Sequence, residues 1–229
     1  GGLYRGELAV LSGRPSMGKT AVALHMALQA ARAWRNTLYF SIEMSEEGVT
    51  ERILSMLSGV EAGKIRFKGT NREERALLEK AAAELAGLPL RIVYCGSLAI
   101  DEIRAVLMTR KARRELDIFF IDYLNLIHIP YTRGSRNETT DLALGDVVRK
   151  VKLMAVELDV PAVLLAQMNR DSDRRLAPYL PILSDLRNSG AIELVADQVI
   201  FVYRAEKYGI LYDKDTKEDL RGVGYLLVA

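Results

Sequence analysis

The sequence predicts an α/β fold: a mostly parallel, twisted sheet flanked by helices, with antiparallel strands near the C-terminus. Three observations predict it. Apolar runs alternate with amphipathic segments along the whole chain, the pattern of successive βα units. A glycine-rich turn, GRPSMGKT at residues 13–20, joins the first apolar run to the first helical pattern. Two late apolar runs, 197–204 and 223–229, flank a charged stretch that reads as a hairpin connection.

The elements follow in order. ELAVLS (7–12) is an apolar strand, and 19–34 carries the 3.6-residue apolar period of a helix. TLYFSIE (37–43) is a second strand ending on an acid. Ser45 is a candidate N-cap for a helix over 45–58, and Asn71 for one over 71–87 that closes on a glycine. Residues 90–95 form a strand and 99–116 a helix. DIFFIDYLNLI (117–127) is a strand, 131–141 a polar loop and 142–159 a long helix. VPAVLLAQ (160–167) is a strand, and a polar loop follows from Met168 to about residue 178. No repeat or low-complexity segment interrupts this order, so one domain over 1–229 is the simplest reading.

Bulk properties narrow the function classes. Hydrophobic residues make up 49% of the chain and charged residues 27%, as in a globular protein with a substantial core. The formal net charge of +2 is too small to imply nucleic-acid binding by itself. A single cysteine, Cys95, excludes an intrachain disulfide and suits a reducing, cytoplasmic setting. The N-terminal residues lack the apolar stretch of a signal peptide, and no apolar run is long enough to span a bilayer. The chain begins without Met and ends inside an apolar run, so it is expected to be a fragment of a longer protein.

The turn at 13–20 fits G-x-x-x-x-G-K-[ST]. Between a buried strand and a helix, its backbone N–H groups and the helix N-terminus favour a polyphosphate. The loop Gly13, Arg14, Pro15, Ser16, Met17, Gly18, Lys19 and Thr20 is therefore the candidate nucleotide cradle. Lys19 would reach the β- and γ-phosphates, and the Thr20 hydroxyl would ligate Mg²⁺. Asp122, after the apolar run IFFI, is the candidate second Mg²⁺ anchor at the sheet edge where α/β proteins bind ligands. Glu43 would polarise the attacking water, the alternative being a solvated strand-end acid. Gln167 has an amide suited to detecting a γ-phosphate, the alternative being a polar strand cap.

These strand ends and their flanks resemble the RecA-like P-loop ATPase domain of the DnaB family of replicative helicases. The resemblance rests on GRPSMGKT, FSIEMS, IDYLNLI, LAQMNR and SDLRNSGAIELVADQVIFVYR, in order over nearly the whole chain. It implies a hexameric ATP- and Mg²⁺-dependent motor that moves 5′ to 3′ on single-stranded DNA and unwinds duplex. It implies Lys19 and Thr20 as phosphate and metal contacts, Asp122 as the second metal-site acid, Glu43 as catalytic glutamate and Gln167 as γ-phosphate sensor. It also implies DNA contacts through Arg187, Asn188 and Gly190, and a channel loop carrying Arg133 and Arg136. Where this chain has Asn188 the family often has Glu, which leaves a backbone contact intact. DLRNSG can equally cap the next helix.

The resemblance further implies primase and helicase-loader partners, met through regions largely absent here. A Lys-x-Arg pair that would complete a neighbour's ATP site is expected just beyond Ala229, so slow hydrolysis is expected of this chain. A recombinase-like ATPase and a ring-assembly module that binds ATP without turnover are the alternatives. His25, His128 and Cys95 are too isolated for a metal site and read as packing residues. Met26, Met56, Met108 and Met154 read as core, and RKARRE (110–115) as a solvated helix end.

Overall fold

A computed structural model describes residues 2–94, 98–124, 127–128, 140–168, 180–186 and 189–229. The elements are β1 (Leu8–Gly13), α1 (Lys19–Arg32), β2 (Thr37–Ser41), α2 (Glu46–Ser58), α3 (Ala62–Arg66), α4 (Arg72–Gly87), β3 (Leu90–Tyr94), β4 (Leu98–Ala99), α5 (Ile100–Ala112), β5 (Ile118–Asp122), β6 (Ile127–His128), α6 (Thr140–Leu158), β7 (Ala162–Gln167), α7 (Ser189–Val195), β8 (Gln198–Tyr203) and β9 (Tyr225–Val228). They fall into two compact units: Gly1–Lys19, Tyr123–Asn125 and Ile129–Ala229 in the first, Thr20–Asp122 and Leu126–His128 in the second.

In the first unit β1 lies between β7 and β8, parallel to both, and β9 adds antiparallel to β8. All six residues of β1 are buried, which is why the strand reads as a continuous apolar run rather than an alternating one. Helix α6 buries Leu144, Val147, Val148, Val151, Met154, Ala155 and Leu158, a stripe at helical spacing. Gly145 lets α7 approach: a Cβ there would lie 3.0 Å from the Ala191 Cβ. The entry to β1 is pinned by Asp197, which accepts from the Leu8 amide (2.7 Å) and from Lys152 Nζ (2.6 Å). Lys152 also donates to the Gly6 carbonyl at 2.8 Å.

In the second unit β2 lies between β3 and β5, parallel to both. Ser45 caps α2 by accepting from the Gly48 amide, and Gly59 closes that helix in the left-handed region. Asn71 and Glu74 form a reciprocal capping box at the start of α4. Both caps stand where the sequence predicts them.

Several boundaries differ from the sequence reading. The strand expected over 117–127 is two, β5 and β6. The strand expected to end at Glu43 ends at Ser41, because the Ser41 hydroxyl donates to the Met44 carbonyl (3.0 Å) and turns the chain toward the cap at Ser45. Helix α3 has five residues, too few to show a period. Helix α6 begins at Thr140, inside the segment expected as loop. Of the four methionines read as core, Met154 is buried, Met26 and Met56 are half-buried, and Met108 is exposed. His25 is exposed rather than packed. No described helix is long and apolar enough to cross a membrane.

Candidate active site

The glycine-rich loop lies in the first unit. β1 ends at Gly13 with its neighbours pressed close: a Cβ there would meet the Val202 carbonyl oxygen at 2.9 Å. Only glycine lets the strand leave the sheet beside β8 at that distance. The loop then turns through Arg14 and Met17, whose amide donates to the Arg14 carbonyl at 3.3 Å. Two loop residues adopt positive φ, Ser16 at 64° and Gly18 at 97°. For Ser16 that backbone costs on the order of 1–2 kcal/mol. The Met17 side chain is buried and roots the loop, while Pro15 and Ser16 are exposed.

Lys19, the first residue of α1, folds back and donates from Nζ to the Gly13 carbonyl at 2.7 Å. This holds the ammonium over the loop, where a phosphate oxygen can replace the carbonyl. The Arg14 guanidinium lies over the Tyr208 ring, 5.2 Å from its centroid. Gln167 ends β7 and is the register partner of Gly13, so the amide and the loop leave the sheet at the same edge. Next to them the Ser12 hydroxyl donates to the Ala166 carbonyl at 3.2 Å, tying the two strand ends together.

The candidate acids lie in the second unit. Asp122 ends β5 and pairs with Ser41 of β2. It is only 3% exposed. The Tyr39 hydroxyl donates to its Oδ2 at 2.8 Å, and its backbone carbonyl accepts from the Ile42 amide at 2.8 Å. Burial, and after it the Asp122 carboxylate, raises the Tyr39 phenol well above its usual value of 10.0, so the phenol stays a donor. Tyr39 stacks on Phe120 with centroids 5.8 Å apart, which fixes the ring that orients the acid. Glu43 lies two residues past the end of β2, exposed in the turn before α2. Thr20, next in chain to Lys19, is half-buried in the first turn of α1.

The two expected metal ligands, the Thr20 hydroxyl and the Asp122 carboxylate, are both hard oxygens. Among the described residues no group of three or more His, Cys, Asp or Glu is placed to hold a metal. That donor set fits Mg²⁺, which takes few protein ligands and completes its shell with phosphate and water. Sequence reasoning missed Tyr39 and Tyr208. Both are ordinary aromatic residues in their segments, and only the fold brings one to Asp122 and the other to Arg14.

The DNA-contact candidates are less fully placed. Arg133, Arg136, Arg187 and Asn188 lie outside the described residues. Gly190, the second residue of α7, is exposed, with open space where a side chain would project. Leu186, the residue before Arg187, forms an antiparallel bridge with Met168, the residue after Gln167.

Comparison with known proteins gives consistent matches. The family model for the DnaB-like helicase C-terminal domain matches residues 1–224. The replicative DNA helicase DnaB of Rickettsia felis is 37% identical over 219 residues, covering 90% of this chain and 43% of that protein. This chain thus spans less than half the length of that curated relative. Among solved structures, a DnaB-like replicative helicase studied with its primase interactions superposes with a TM-score of 0.86 at 26% identity, covering all of this chain and 55% of that one. The solved ATPase domain of a second protein superposes with a TM-score of 0.83 at 26% identity, covering 98% of this chain and 81% of that one.

Proposed function

This chain belongs to the DnaB-like helicase C-terminal domain family, and from that premise we propose that it is the ATP-driven motor domain of a replicative DNA helicase. The observation that carries the proposal is the loop at the end of β1, with the Lys19 ammonium held at 2.7 Å over the Gly13 carbonyl. A polyphosphate entering the loop would meet backbone N–H groups, the start of α1 and this ammonium.

The reaction is an in-line attack of water on the γ-phosphate. Lys19 exchanges the Gly13 carbonyl for phosphate oxygens and offsets charge that grows in the transition state. Mg²⁺, when bound, neutralises the phosphates; Thr20 and Asp122 are the residues to hold it. Tyr39 keeps Asp122 oriented. Glu43, exposed beyond β2, orients the water and accepts its proton. Gln167 distinguishes the triphosphate from the product.

Single-stranded DNA is the proposed track, contacted through Arg187, Asn188 and Gly190 and through the loop bearing Arg133 and Arg136. Contacts of that kind to phosphates position the strand without reading its sequence. Movement 5′ to 3′, a hexameric ring of this domain, primase and loader partners, and a cytoplasmic location complete the proposal.

Hydrolysis of ATP with Mg²⁺, measured with and without a single-stranded oligonucleotide, tests the proposal. Stimulation by the oligonucleotide, and loss of turnover in Glu43→Gln by about 10²-fold or more with binding retained, is expected. A chain that binds ATP but never responds to DNA points instead to a module that uses ATP for assembly alone.

A further inference from the structure

We infer that Tyr208 is a positioning residue for the nucleotide loop: its ring holds the Arg14 guanidinium and so sets the loop before nucleotide arrives. The inference deepens the proposed function and rests on it.

The ring is itself well anchored. Residues Ala205–Tyr208 form a single 3-10 turn directly after β8, closed by Gly209 in the left-handed region, whose amide donates to the Glu206 carbonyl at 3.0 Å. Tyr208 stacks on Tyr203, the last residue of β8, with centroids 5.6 Å apart and planes 23° apart. Tyr203 is 6% exposed and meets Tyr225 of β9 at 6.2 Å. Tyr203, Ala205 and Leu220 form a small buried cluster against which Tyr208, Ile210 and Leu227 pack.

The same stretch of chain grips the loop twice. The Val202 carbonyl stands where a Gly13 side chain would be, and six residues later Tyr208 receives the Arg14 guanidinium. The first contact fixes the loop's backbone at its root. The second fixes the first side chain beyond the root. Arg14 is the one cation among the four residues between Gly13 and Gly18. An arginine loses side-chain rotamer entropy when it is ordered. Tyr208 orders it in advance, so the positive charge stands at the rim when a polyphosphate approaches.

The test is a double-mutant cycle on the whole chain, read by titration of a fluorescent ATP analogue and by steady-state hydrolysis. Tyr208→Leu is expected to weaken binding and raise KM by about two- to fivefold, the size of an exposed cation–π contact, with kcat little changed. Tyr208→Phe, which keeps the ring face, is expected to bind like wild type. Arg14→Ala is expected to weaken binding similarly, and Tyr208→Leu to add nothing to it. The inference is overturned if Tyr208→Phe loses as much as Tyr208→Leu, or if the two losses multiply in the double variant. Should Tyr208→Leu fail to fold, Tyr208→Met takes its place in the same cycle, and the same outcomes decide. A wild-type chain that does not bind the analogue removes the nucleotide reading as well, whereas binding with additive losses removes only the role of Tyr208.

Discussion

Met168 and Leu186 face each other in an antiparallel bridge, both buried, at 6% and 1% exposure. Met168 follows Gln167 at the end of β7, and Leu186 precedes Arg187. The bridge therefore sets the residue after the candidate γ-phosphate sensor against the residue before the segment proposed to grip DNA. Gln167→Ala is expected to bind nucleotide and retain basal hydrolysis while losing stimulation by single-stranded DNA. Unchanged stimulation in an ATPase assay would remove Gln167 from this path.

The close approach of Gly13 to β8 makes a second substitution informative. In Gly13→Ala the new methyl would meet a backbone carbonyl at 2.9 Å, and a strand buried along its whole length has little room to shift. A loss of about 1–3 kcal/mol in a urea melt is expected, with weaker nucleotide binding. A variant as stable as wild type would show that β8 yields more easily than its burial implies.

Tyr39→Phe removes the donor to a buried carboxylate. The expected cost is about 1–3 kcal/mol, together with a higher Mg²⁺ requirement for hydrolysis. The phenol also sets an alkaline limit. Its pKa is raised on folding, so its contribution is complete below 10.0, its unfolded value, and is lost as pH climbs from there through the folded value. Stability profiles across pH 9 to 12 should fall less steeply for Tyr39→Phe than for wild type.

Asp197 gives the opposite sign in acid. Partial burial opposes its ionisation most strongly, yet the Lys152 ammonium and the Leu8 amide outweigh that and hold its carboxyl below the usual 3.8. Its contribution is present above that value and lost as pH falls through the depressed one. Asp197→Asn should be less stable than wild type at neutral pH and nearly equal to it near pH 2. The Asp197 side chain is 34% exposed, so solvent screens part of the interaction and the effect is small. Parallel profiles for the two proteins, measured from pH 7 to 2, would rule out this linkage.

The parts of the site that were legible in the sequence are those set by local rules. A Gly-rich turn between an apolar run and a helix, an acid closing a buried strand, and Ser or Asn at the start of a helical pattern each announce themselves within about ten residues. Gly13, Lys19, Asp122, Ser45, Asn71 and Gln167 all stand where those rules place them. Glu43 was displaced from its expected strand end because one hydroxyl, that of Ser41, turns the chain two residues early. Met108 and His25 read as packed because an apolar or aromatic residue in a helical pattern does not reveal which face it occupies.

The sequence alone determined the order of elements, the glycine-rich loop and the strand-end residues, because each depends on neighbours in the chain. Only the tertiary structure decided that Val202 crowds Gly13, that Tyr39 holds Asp122, that Tyr208 receives Arg14 and that Met168 meets Leu186. The first and third of these join residues nearly two hundred positions apart and the second spans more than eighty. The physical reason is range. Turns, caps and periodicity are fixed by bonds a few residues long, whereas strand pairing and ring contacts depend on which distant segments the core brings to the same edge.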